Sequence, residues 1–112
     1  LNIPLNNLGM TYRALNRFED AEKVLTRVIE AHREYGASAR PDLAVAIFNL
    51  ARVHAAQSDV EQAEPLFREA LEIYSGALGD EHPNVVTMRQ GFVEFLRAQD
   101  RGDEAEQLLT TG

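Results

Sequence analysis

Apolar residues along this chain recur at steps of three and four, the spacing that gathers side chains on one face of an α-helix. Leu43, Ala46, Ile47, Leu50, Ala51 and His54 form one such stripe, and Ala63, Leu66, Phe67, Ala70, Leu71 and Tyr74 form another. The pattern predicts first helices near 1–15, 42–57 and 84–99, each followed by a second amphipathic helix near 18–35, 60–77 and 102–110. The polar breaks Asn16-Arg17, Ser58-Asp59 and Asp100-Arg101-Gly102 leave room only for antiparallel turns, so each pair reads as an αα-hairpin.

These hairpins repeat. Asn7, Leu8, Ala14, Glu19, Ala21, Glu22, Glu30 and Pro41 return 42 residues later as Asn49, Leu50, Ala56, Glu61, Ala63, Glu64, Glu72 and Pro83. The same step carries Ala56, Gln57, Ala63, Glu64 and Leu66 onto Ala98, Gln99, Ala105, Glu106 and Leu108, with no insertion or deletion. The units are therefore 1–42, 43–84 and an incomplete 85–112, in one all-α domain over 1–112 with no linker inside it. Gly36 and Gly79 fall where second helices should end in a left-handed residue, and Pro41 and Pro83 suit the first turn of the next helix. Pro65 conflicts with this pattern, because its ring and missing N–H predict a kink or a later start of its helix.

The spacing resembles tetratricopeptide repeats. The large residue, small residue and tyrosine of that family's first helix stand here as Leu8, Gly9 and Tyr12. Its alanine, aromatic or leucine, and alanine of the second helix correspond to Ala63, Phe67 and Ala70. The 42-residue length is similar to the kinesin light chain type in particular, as are Ala63-Glu64-Pro65-Leu66, Ala70-Leu71-Glu72-Ile73-Tyr74 and Leu78-Gly79-Asp80-Glu81-His82-Pro83. Unit three departs: Gly91 replaces the repeated asparagine, Val93 takes the small position and Leu96 the tyrosine position. The resemblance implies an α-solenoid of antiparallel helix-turn-helix hairpins, about six helices in all. Its first helices would line a concave groove that takes an extended peptide or a partner's helix, a protein-interaction role as scaffold or adaptor. Repeats contact only their neighbours, so such a stack curves and exposes a continuous surface.

Groove positions of the first helix lie off the packing stripe in this family. Here they select Ile3, Asn6, Asn7, Met10 and Arg13, then Val45, Phe48, Asn49, Arg52 and Ala55, then Thr87, Gln90, Gly91, Glu94 and Arg97. Asn7 and Asn49 lead, because an amide offers donors and an acceptor to a ligand's main chain; the competing role is an amide satisfied within its own stack or by water. Arg13, Arg52 and Arg97 place cations suited to a ligand carboxylate, against the alternative of solvated arginines paired with Glu94 or other neighbours. Phe48 and Met10 offer adaptable apolar contact or, alternatively, complete the core.

Composition narrows the function classes. Net charge is -7, with 18 acidic against 11 basic residues, which argues against nucleic-acid or anionic-membrane partners. The chain has no cysteine, no phosphate-cradling glycine loop, no serine elbow and no paired histidine ligands. It therefore reads as a non-enzyme with no cofactor or metal. His32 belongs to an outer helix face, His54 takes the slot of Tyr12, and His82 sits beside Pro83 at a helix entry. The acidic residues Glu61, Glu64, Glu69 and Glu72 read as a solvated face. Absence of cysteine favours a cytoplasmic setting. The chain starts at Leu1 inside helical pattern, as expected of a piece of a longer solenoid. A competing reading is self-assembly into a homo-oligomer, burying Leu1, Ile3 and Leu5 at one end and Leu108 and Leu109 at the other.

Overall fold

The computed structural model describes residues 11, 13–34 and 41–111, apart from the side chains of 110 and 111. Five helices follow one another: α1 (Phe18–Glu34), α2 (Pro41–Ala56), α3 (Val60–Leu78), α4 (Pro83–Ala98) and α5 (Gly102–Thr111). Thr11, Arg13 and Ala14 are helical as well, and no strand occurs among the described residues. All helix limits fall within a residue of those the periodicity predicts.

The ends follow local chemistry. Helix α1 opens with Glu19 and Asp20 and closes with His32 and Arg33, complementing the helix dipole. Pro83 occupies the first turn of α4, and His82 caps it, its Nδ1 accepting the Asn84 N–H at 3.1 Å. Gly79 ends α3 with φ 93° and ψ 146°, donating its N–H to the Ser75 carbonyl at 2.8 Å. That conformation is extended and specific to glycine, rather than the left-handed helical one expected. Gly36 lies outside the described residues. The later helix start expected at Pro65 is not found, since α3 begins at Val60 and continues through it. Pro65 and Glu61 are both exposed, so the carbonyl that loses its partner faces water.

The tight turns inside the hairpins share one geometry. Asn16, Ser58 and Asp100, one period apart, have φ of 60°, 61° and 58°. In the second, Ser58 N–H bonds the Ala55 carbonyl and Asp59 N–H bonds that of His54; in the third, Asp100 bonds Arg97 and Arg101 bonds Leu96. This is the paired closure of a Schellman motif, with a side-chain-bearing residue at the position that favours glycine. The next helix then opens with an N–H from Ala21, Ala63 or Ala105 to the carbonyl of Arg17, Asp59 or Arg101. All three alanines are fully buried.

Two apolar clusters run through the stack. One joins Ala21, Leu25 and Ile29 of α1 to Leu43, Ile47, Leu50 and Val53 of α2, with Tyr74 of α3 and Val85 and Met88 of α4. The other joins Ala51 and Phe67 of unit two to Phe92, Val93, Phe95, Leu96 and Ala105 of unit three. Helix α2 feeds both, and Ala44 and Val53 are buried in addition to the predicted stripe. Phe67 lies 4.8 Å from Phe95, 5.5 Å from Phe92 and 5.5 Å from Phe48, centroid to centroid. Val93 and Leu96, which break the family pattern, are buried in this aromatic cluster, so the departure trades polar or small groups for apolar packing.

Ion pairs tie neighbouring units together. Arg33 of α1 meets Glu69 of α3 at 2.8 Å on the surface. Between units two and three, Arg101 grips Glu64 with both terminal nitrogens, one contact at 2.8 Å, and also holds Glu104, while Arg68 binds Glu64 at 2.9 Å. The hydrogen bond from Arg101 holds the Glu64 carboxyl at about 2, well below its ordinary 4.5, against a smaller opposing effect of burial.

Two outcomes follow. Replacing Ser58 with glycine relieves a left-handed residue and should stabilise the chain by about 0.5 kcal/mol, read as a raised midpoint in thermal melting. Because the folded pKa of Glu64 is depressed, its stabilisation is present above about pH 4.5 and is lost as pH falls toward about 2. Acid melts of Arg101→Met should lose that part of the pH dependence, and an unchanged acid profile would show that the pair contributes nothing.

Candidate functional site

Of the first helices expected to line the groove, the described residues include Arg13, α2 and α4. Asn6, Asn7 and Met10, with Ile3, lie outside the described residues. On α2, Val45, Phe48 and Arg52 are half-buried, and Asn49 is buried, at 7% exposure. On α4, Gln90, Glu94 and Arg97 are exposed.

Three charged residues from three units gather. Burial pushes the Arg52 guanidinium below its ordinary value, the like charge of Arg13 adds to this, and Glu94 acts against it. Arg13 itself has Nε enclosed and without a hydrogen-bond partner. Arg52 thus stands between one cation, Arg13, and one carboxylate, Glu94, in a chain of net charge -7. Arg97 does not join them: its guanidinium turns to Glu106 of α5 at 3.3 Å. Thr87 bonds the Pro83 carbonyl of its own helix at 3.1 Å.

The central residue is Asn49. Its side chain makes no hydrogen bond to a described residue, and although the residue is only 7% exposed, its amide is not sealed from solvent. No bond within its own stack is made by the side chain, and the amide stays open to water or to a ligand. One turn away, Arg52 lies over the Phe48 ring, 5.8 Å from its centroid, within cation–π range. Phe48 packs against both apolar clusters, so it completes the core and keeps a face toward the charged group.

Sequence reasoning missed the pairing of Phe48 with Gly91. A Cβ at position 91 would stand 2.6 Å from Cζ of Phe48, so the ring fills the space a side chain there would need. The available signal was the coincidence of two departures one unit apart: Phe48 where Asn6 and Gln90 are polar, and Gly91 where Asn7 and Asn49 recur. The Arg101–Glu64 tie was missed as well; its trace is Arg17-Asp20 returning two periods later as Arg101-Glu104.

Recesses elsewhere lack this convergence. One of about 550 Å³ runs along Glu19, Glu22, Lys23, Thr26, Arg27 and Glu30, all on α1. Another of about 320 Å³ lies between Arg68, Leu71, Ser75, Arg89, Phe92 and Leu108. Among the described residues no cluster of acidic residues and histidines is placed to hold a metal, and no helix is long and apolar enough to cross a membrane.

The solvent-open amide gives a stability test. Asn49→Ala should change the unfolding free energy by less than about 0.5 kcal/mol in urea titration, since no bond is lost and alanine favours a helix. A loss above about 1.5 kcal/mol would mean that the amide supports the fold.

The sequence model of the tetratricopeptide repeat family matches residues 1–75 and again 42–111. Among solved structures, the chain is similar to the nearly identical TPR-like repeats assigned to a kinesin light chain of Podosopora anserina, with a TM-score of 0.82 and 23% identity. That match covers 95% of this chain, which spans about half the length of the other, 50%. No curated protein matches it in sequence. Repeats of this family are generally protein–protein interaction modules and generally non-enzymatic. Matched twice over, with its hairpins in the 42-residue register, the chain belongs to the tetratricopeptide repeat family.

Proposed function

We propose that units 1–42, 43–84 and 85–112 form one binding domain that holds an extended peptide, or a partner's helix, along the first helices, in a scaffold or adaptor role. The observation that carries this reading is Asn49, whose amide bonds no described neighbour and stays open to solvent, beside the half-buried Arg52. Amide groups can bracket a peptide main chain whatever its side chains, as a tolerant clamp needs. Arg13 and Arg52 supply charge-assisted bonds to a ligand carboxylate, and their mutual repulsion is relieved when an anion enters. On this reading Asn6, Asn7 and Met10 extend the face through unit one, Val45 and Gln90 border it, and Glu94 sets its acidic edge. Arg97, engaged with Glu106, contributes less.

A second reading rests on Leu109. One period after Phe67, which is 2% exposed against Phe92 and Phe95, Leu109 is 46% exposed. A second copy stacked on that end would cover it. Light scattering should then show a concentration-dependent dimer that Leu109→Glu abolishes; a monomer at every concentration removes this reading.

The peptide reading is tested with fluorescent peptides drawn from a random library. Arg52→Glu should weaken acidic binders about tenfold or more, and Asn49→Ala should weaken binders of every charge. Hits unaffected by both substitutions would end the assignment.

A further inference from the structure

The asparagine recurring at 7 and 49 fails at its third place, position 91, and the structure supplies a physical reason. Gly91 lies in the middle of α4, where glycine is unfavourable by roughly 1 kcal/mol relative to alanine. The Phe48 ring, reaching across from α2, takes the place of its missing side chain, with Cε1 at 3.1 Å from where a Cβ would stand. Phe48 is held there edge-on by Phe67, with rings 68° apart, and covered by the Arg52 guanidinium. Its counterparts one period away, Asn6 and Gln90, are polar, so unit two alone carries a ring at this place.

We propose that Phe48 and Gly91 form a register stop in the groove. This rests on the peptide reading above and deepens it: main-chain capture ends at Asn49, and the ligand crosses from unit two to unit three by setting an apolar side chain on the Phe48 ring. A third asparagine is sterically excluded while the ring stays seated on Gly91. The ring presents a half-buried apolar surface there, to which a polar ligand residue would surrender its hydration without gaining a bond. Phe48 is thus the residue that sets ligand register, and Gly91 the positioning residue that lets it do so.

The test selects peptides from a displayed random-sequence library on the wild-type chain and replaces each peptide residue in turn with alanine. One apolar peptide position should lose about tenfold in affinity on truncation. That sensitivity should vanish on Phe48→Leu, which removes the ring but keeps an apolar side chain, and on Gly91→Ala, which unseats the ring. Asn49→Ala should weaken binding yet leave that position sensitive. Circular dichroism establishes that each variant is folded, and either Phe48→Leu or Gly91→Ala suffices if the other is not. Binders weakened by Asn49→Ala whose apolar position responds to neither substitution overturn the register stop and leave the groove intact. Binders indifferent to Asn49→Ala, or none recovered, overturn both.

Discussion

A hairpin of two amphipathic helices has more apolar surface than its own two halves can cover, and everything else in this structure follows from that surplus. Helix α2 makes the point: Leu43, Ala44, Ile47, Leu50, Ala51 and Val53 are all buried, yet they divide between the cluster facing α1 and the cluster facing unit three. A helix apolar around most of its circumference is stable only with neighbours on both sides. Burial therefore depends on stacking, and stacking keeps the repeat in register because the small residues Ala21, Ala63 and Ala105 must each meet a close neighbour.

The junction between units two and three shows how that requirement is met with different chemistry. Four phenylalanines, from α2, α3 and α4, interlock across it, and Arg101 closes its polar side by gripping Glu64 of the preceding unit. The family's small and tyrosine positions are given up to Val93 and Leu96, and the asparagine position to Gly91. Packing between units has thus changed the residues on the face proposed for binding. The same ring, Phe48, completes the core and carries the Arg52 cation on the open side.

The face proposed for binding carries the solvent-open amide of Asn49 and a crowded pair of cations. Arg52 is half-buried beside Arg13, whose enclosed Nε has no hydrogen-bond partner. Folded proteins seldom keep such groups without a compensating role. On the proposed reading a ligand carboxylate would relieve the repulsion and a peptide main chain would replace water at Asn49.

Hairpins, period, helix limits and the family were all legible in the chain, because each rests on local geometry: residues three or four apart share a helical face, and proline and glycine have their own backbone preferences. Even the turn positions Asn16, Ser58 and Asp100 stand where the polar breaks marked them. Contacts across units were not legible. That Arg97 turns to Glu106, that Arg101 reaches Glu64, and that Phe48 fills the space beside Gly91 depend on which side chains two helices bring within a few ångströms. One-dimensional spacing places a residue on a face of its own helix; only the packing of helix on helix decides what stands opposite it.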